Sequence, residues 1–309
     1  MYFKDAYLRN LTDDLRQRVI ASPDAHEPRA FGWDIYIAKS LLQKAIRRGD
    51  EGSAVAAAHF LLSANERSFW SRLSIIAAED IGIANIDLIV TVCIAARRKS
   101  LRDDLGGSKS VATALLRALC QSGKDRSTDD LFELITRPAS ARVRRDELAE
   151  TAPQDLFQLA MNSSLPVEER FLAASVWVNG AGELDAYGHT VGKWQTIFHG
   201  LNDGRECNKT LIAAEMSLQR NYVILGAMLP FLGEQDIERP NTFIADECPP
   251  ARDLSGLPSW ALNGHTRAGK RAFALLLKRS DALGRFVNRH RTGAVSPVNI
   301  VSDLVFHLE

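Results

Sequence analysis

The stretch from Lys39 to Asp87, KSLLQKAIRRGDEGSAVAAAHFLLSANERSFWSRLSIIAAEDIGIANID, constrains the fold more than any other part of the chain. It reads as three short amphipathic helices with abrupt stops. Lys39–Arg48 is ended by Gly49-Asp50, Ser53–Ser63 stops near Asn65, and Glu66–Glu79 is closed by Asp80-Ile81-Gly82. Apolar residues recur at helical spacing, as at Phe69, Leu73 and Ile76, so each helix has one face to bury. Gly49, Asn65 and Gly82 stand where a left-handed turn would end a helix.

The same stretch carries a resemblance. Arg48-Gly49-Asp50, the small and apolar helix ending at Leu61-Leu62, Arg72 in the next helix, and Ala78-Glu79-Asp80-Ile81-Gly82 followed by Ala84 are its pieces. Together they resemble the region C-terminal to the ATPase core in the replication-associated recombination protein A family. These are AAA+ relatives of the clamp loaders, with a eukaryotic member that interacts with the Werner helicase. The resemblance spans about fifty of the 309 residues. It implies an all-helical oligomerisation module built like a clamp-loader collar, and a setting in replication or repair rather than a reaction.

The motor of that family needs a P-loop, G-x-x-x-x-G-K-[S/T], whose backbone amides hold phosphate. Gly106-Gly107-Ser108-Lys109-Ser110 lacks the distal glycine, and Gly204-Arg205-Glu206-Cys207-Asn208-Lys209-Thr210 has Asn208 where glycine must precede lysine. Neither follows a buried strand. Only 38 residues precede Lys39, too few for an ATPase core, so ATP hydrolysis is not expected.

Composition narrows the classes. A hydrophobic content of 46% with 25% charged residues is that of a globular protein with a real core. Basic and acidic residues balance at 38 each, so any nucleic-acid contact must use a local patch rather than a global field. No apolar run approaches the ~18–20 residues of a membrane span, and the N-terminus has no signal-peptide core. Cys93, Cys120, Cys207 and Cys248 form no C-x-x-C pair, so neither a zinc knuckle nor a redox motif is expected. Cys93 and Cys120 lie in apolar helical patterns and read as reduced core residues, which fits a cytoplasmic protein, nucleoid-associated if it binds DNA.

Helix dominates the remaining pattern. A short polar helix is expected from Asn10 to about Val19, then a loop from Ser22 to Asp34 anchored by Phe31 and Trp33. Further helices are expected at Ile86–Arg97, at Ser108–Gln121 with Ser108 or Ser110 as cap, and from Thr128 to about Thr136. Around Pro138–Arg145 the periodicity breaks, which reads as a loop. Helix returns at Thr151–Asn162, Pro166–Asn179, Val191–His199 and a long Asn208–Met228 closed by Pro230. Val298–Val301 reads as extended. The segmentation is an N-terminal helix and loop over 1–38, a helical domain over 39–231, a Pro/Gly-rich linker over 232–258, and a basic helical tail over 259–309. The fold class is all-α, a multi-helix array.

That tail holds the sharpest charge asymmetry. From Trp260 to Glu309 there are eight Arg and Lys residues against three Asp and Glu, a surplus of five in a chain of net charge zero. Arg267, Lys270 and Arg271 share one face of a helix starting near Thr266, and Lys278 lies two turns on. Ala272, Phe273, Leu276 and Leu277 would take the buried face. A basic stripe of this kind can contact successive phosphates, and His265 at the helix start can add another. The alternative is an ordinary solvated face. A second cluster, Arg142, Arg144 and Arg145 beside Arg137, could follow a nucleic-acid backbone from its loop. Arg97, Arg98, Lys99 and Arg102 are offset at once by Asp103 and Asp104.

Glu79-Asp80 could suggest a catalytic or Mg²⁺ site, yet adjacent helical residues point roughly 100° apart and do not converge. Asp80 as a turn cap, with Glu79 paired to an arginine such as Arg72, is the simpler role. The seven histidines, His189 and His199 among them, form no H-x-x-x-H or H-E-x-x-H, and no metal or cofactor is expected. Trp70 beside Arg72 and Trp260 before His265 could stack on bases, with a core role as the default. The expectation is a non-catalytic replication or repair accessory that self-associates and touches DNA through its tail. One rival is a scaffold docking a separate AAA+ ATPase or another acidic partner. The other is an enzyme with a site assembled across helices, using His265, Arg267 and Glu79.

Overall fold

The computed structural model of the chain describes residues 2–22, 34–180, 191–202, 208–221, 223–233, 253–254, 256–291 and 295–308. Phe31, Trp33, Cys207, Cys248, His189 and most of the 232–258 segment lie outside the described residues. The protein is all-α. Among the described residues there is no strand, only an isolated bridge between Asp253 and Pro258. No described helix is long and apolar enough to cross a membrane.

Two compact units form, each discontinuous in sequence: Met1–Asp24 with Arg67–Phe243, and Ala25–Glu66 with Ile244–Glu309. The segment that carries the family resemblance is therefore divided between them, at Glu66–Arg67.

The larger unit begins with α1, Tyr2–Ala21. This helix starts well before Asn10 because Tyr7, Leu11 and Leu15, four apart, line one buried face. Tyr7 donates to Asp87 Oδ1 at 2.6 Å. α2 spans Ile35–Arg48 and α3 Glu51–Ile76. Gly49 ends α2 in the expected left-handed conformation, φ 72° and ψ 15°. Asn65 does not. Its backbone is extended, φ −164° and ψ 94°, so the two expected helices meet there at a kink without a left-handed turn. That helix ends at Ile76, and Ala77–Ile81 widens into a π turn followed by the 3₁₀ turn Gly82–Asn85.

α4, Ile86–Arg97, is the hub of the larger unit. Leu88 to Ala95 are buried without a break, so the helix is covered all round rather than on one face. It packs on α1, on α6 (Ser108–Gln121) and on α12 (Lys209–Asn221). α5 is the short Lys99–Asp104. The cap of α6 is Gly107, not Ser108 or Ser110. Ser108 Oγ instead accepts from Arg102 Nε at 3.0 Å, and Ser110 donates to the Gly106 carbonyl at 3.1 Å. Arg102 is itself buried. It donates to the Ala95 carbonyl at 2.6 Å, satisfying the end of α4, and lies 4.8 Å over the Trp70 ring.

α7 spans Ser127–Thr136 and α8 Ala139–Ala149, where the sequence suggested a loop. Only Leu148 of α8 is buried, so the segment lacks the apolar stripe by which helices are recognised. α9 (Pro153–Met161), α10 (Val167–Asn179), α11 (Val191–Leu201) and α13 (Ile224–Gly233) complete the unit. The expected long helix from Asn208 is broken between α12 and α13, and Pro230 lies buried inside α13. Phe171 stacks on Trp194 at 5.5 Å and meets Phe231 edge-on at 5.3 Å, the aromatic centre of this core.

In the smaller unit α2 and the first part of α3 bury Leu41, Leu42, Ala45, Ile46, Ala57, Ala58 and Leu61. Lys44, also buried, donates to the Trp260 carbonyl at 2.8 Å, and Arg48 lies 5.1 Å over the Trp260 ring. α14 (Arg267–Arg279), α15 (Asp281–His290) and α16 (Pro297–Leu308) close a small core on Phe273, Val287 and Val301. Val298–Val301 is thus helical, not extended. Packing of Val301, and in part of Val298 and Ile300, overrides the β-branched preference.

The π turn is held by the loop after α6. Asp80 is fully buried and Arg126 Nε lies 3.8 Å from its Oδ1. The Asp125 amide donates to the Asp80 carbonyl at 3.1 Å, and Thr128 donates to the Ala78 carbonyl at 2.7 Å. Gly82 has φ 50°, and a Cβ there would overlap the Asp125 carbonyl oxygen. Gly82→Ala should therefore cost about 2–4 kcal/mol in urea unfolding, a cost that a flexible turn would not show.

Cys93 and Cys120 are buried free thiols. Burial pushes the Cys93 thiol from 9.0 up to about 11, against weaker opposing effects of the Ser217 hydroxyl and Arg97. The unfolded chain releases that proton near pH 9 while the folded chain keeps it. The contribution is thus intact below pH 9 and is lost as pH rises toward 11. In urea titrations the stability advantage of wild type over Cys93→Ala should narrow by roughly 1.4 kcal/mol per pH unit across that window.

Candidate nucleic-acid interface

α14 starts at a built N-terminus. Thr266 caps it, its hydroxyl accepting from the Gly269 amide at 2.9 Å. Asn263 Oδ1 accepts the His265 amide at 3.0 Å, and its Nδ2 donates to Ser40 Oγ of α2 at 3.0 Å. Gly269 is buried against the Asn263 backbone, where no Cβ would fit. This anchoring turns Gly269 and Phe273 inward and leaves Arg267, Lys270, Arg271 and Lys278 exposed. At 3.6 residues per turn Arg267, Arg271 and Lys278 fall within an arc of roughly 40°, with Lys270 roughly 60° to one side. His265 is exposed at the head of the same helix. Leu276, expected on the buried face, is 47% exposed, as is its neighbour Leu275 at 53%.

α15 extends the basic surface. Its cap is Ser280, whose hydroxyl accepts from the Leu283 amide at 3.3 Å, so one residue separates the two helices. Val287 points to the core while Arg285 and Arg289, four apart, are exposed. Phe286 and His290, also four apart, form an exposed ring pair with centroids 4.4 Å apart. Neither ring stood out in the sequence, although the i, i+4 spacing of two rings beside two arginines was there to be read.

Charge pairing separates the basic clusters. Arg267, Lys270, Arg271, Lys278, Arg279, Arg285, Arg289 and Arg291 are exposed, and none of the eight makes an ion pair among the described residues. The cluster on α8 differs. Arg144 forks between Glu147 and Glu169, which raises its already high affinity for the proton. Arg145 donates to the Ile135 carbonyl at 3.1 Å, so it ties α8 to α7. Arg142 alone of the three is exposed without an ion pair among the described residues. The cluster lies on a helix and not a loop, and two of its three arginines serve the fold.

The other sequence candidates take structural places. Trp70 is buried, edge-on to Phe69 at 5.0 Å. Glu79 belongs to the larger unit, His265 and Arg267 to the smaller. Among the described residues no group of three His, Cys, Asp or Glu side chains could hold a metal ion. Comparison with protein-family models, with curated proteins and with solved structures gave no match.

The difference in pairing has a measurable consequence. Arg144→Ala should lower thermal stability by less than about 1 kcal/mol, since the pair is partly exposed, and leave retention on a heparin column unchanged. Arg271→Ala should do the reverse, leaving the melting temperature in place and shortening retention.

Proposed function

We propose that the chain is a non-catalytic nucleic-acid-binding accessory, of the kind used in DNA replication or repair, that contacts phosphates through α14 and α15. One observation carries this reading: seven exposed Arg and Lys residues on two consecutive helices, with Arg291 just beyond them, make no ion pair among the described residues of a chain whose net charge is zero. Holding like charges together unpaired is unfavourable for the isolated protein, and a polyanion that releases its counterions relieves it. The cations sit on helices anchored by Thr266, Asn263 and the Phe273–Val287–Val301 core, so they meet a backbone with little further ordering. The resemblance of Lys39–Asp87 to the recombination protein A family supports the replication or repair setting. It also supports self-association, by which several weak basic faces would act together.

A second reading draws on Leu275 and Leu276, about half exposed beside the cations. On it the same face docks an acidic protein, such as a separate AAA+ ATPase, with apolar contact from Leu275 at its edge.

Fluorescence anisotropy against a labelled DNA duplex, titrated over salt, tests the first reading. The wild type should lose affinity steeply with salt. Arg267→Ala, Lys270→Ala and Arg271→Ala combined should weaken binding to all sequences alike and reduce the log–log salt slope by roughly 3. Unchanged affinity in the triple variant would remove α14 from the interface. Absence of DNA binding together with co-purification of an acidic protein would favour docking.

A further inference from the structure

We propose that the α15 face is a site for single-stranded nucleic acid, in which bases stack on the Phe286–His290 pair while phosphates lie along Arg285 and Arg289. This rests on the reading that α14 and α15 contact nucleic acid, and it specifies which kind.

Two rows run along α15, roughly 100° apart around its axis. Arg285 and Arg289 form one, four residues apart and therefore about 6 Å apart along the axis. Phe286 and His290 form the other, roughly 100° further round, with ring centroids 4.4 Å apart and planes inclined at 38°. Phe286 is 40% exposed. Val287 supplies the buried contact of α15 with the core, which leaves the Phe286 ring open to solvent. A single strand offers what fits both rows, unpaired bases with free faces beside a charged backbone. In a duplex the base faces are stacked inside the helix and cannot reach a ring on a helix surface, so only the arginine row would be used.

A cationic helix with exposed apolar side chains can also suit an anionic membrane surface. α14 and α15, however, turn Phe273 and Val287 into the Phe273–Val287–Val301 core, which leaves Leu275, Leu276 and Phe286 as separate exposed side chains rather than one continuous apolar face. Lipid insertion needs such a face. The ring beside Phe286 is moreover a histidine, a polar group that suits base stacking better than acyl chains.

The test is anisotropy with a single-stranded oligonucleotide and a duplex of equal length, at one salt concentration, using the full chain. Wild type should bind the single strand at least roughly fivefold tighter. Phe286→Leu keeps apolar area but removes the ring. It should lower single-strand affinity roughly five- to tenfold and leave duplex affinity unchanged, while Phe286→Trp restores the preference. Equal loss for both nucleic acids, or no loss for either, overturns the proposal. So does binding to phosphatidylserine vesicles that Phe286→Leu abolishes, without single-strand binding. If single strand and duplex bind alike and the Arg267, Lys270 and Arg271 alanine variant weakens both, only the single-strand assignment fails. If neither binds, the phosphate-contact reading fails with it.

Discussion

Asp80 sets the terms for the larger unit. A carboxylate with no exposed surface is costly in a protein interior unless charge and hydrogen bonds compensate it. Arg126 supplies the charge, and the backbone around Asp80 is tied by Asp125 and Thr128. Those ties explain why α3 does not run on into α4. The π turn and the 3₁₀ turn redirect the chain, and Gly82 lets the 122–128 loop close against them. Asn85 then caps α4, its Oδ1 accepting the Leu88 amide at 3.0 Å while its amide donates to Ser122 Oγ at 3.3 Å. The fully buried hub helix is aimed by this junction, and α1, α6 and α12 pack around what it aims.

The same economy governs the arginines and lysines. Where a cation meets a helix end or a carboxylate it serves the fold. Arg102 satisfies the carbonyls ending α4, Arg144 joins α8 to α10 through Glu169, and Lys124 donates to the Leu119, Cys120 and Ser122 carbonyls at the end of α6. Burial lowers the affinity of Lys124 for its proton, with Cys120 and Asp80 opposing that shift. On α14 and α15 the arginines and lysines make no ion pair among the described residues. A sequence count treats all these residues as equal. Pairing separates structural cations from those open to a ligand.

Helix positions were largely legible in the sequence, and their failures have identifiable causes. α4, α6 and α7 stand where the sequence pattern puts them, because α6 and α7 bury an apolar stripe and α4 is apolar almost throughout. α8 was missed because it buries Leu148 and little else, leaving no stripe to detect. α1 was cut short because its buried residues are spread over a polar helix. Asn65 interrupts the helix where the sequence places a stop, but through extended backbone rather than a left-handed turn. The basic face of α14 was legible in full, since Arg267, Lys270, Arg271 and Lys278 follow from spacing alone. The status of Arg144 and Arg145 was not, because Glu169 and the Ile135 carbonyl are brought to them only by folding.

By itself, the sequence determined that this is an all-helical chain with a neutral overall charge and a basic C-terminal face. Charge is a sum over composition, and the helices and the basic face depend on residues within a turn or two of one another, where helical geometry dictates who shares a face. Tertiary structure alone decided that Ala25–Glu66 clusters with Ile244–Glu309 and that Glu79-Asp80 belongs to a buried junction. It alone also decided which arginines remain open to solvent. Each of these turns on contacts between residues far apart in the chain, and local periodicity carries no record of such contacts.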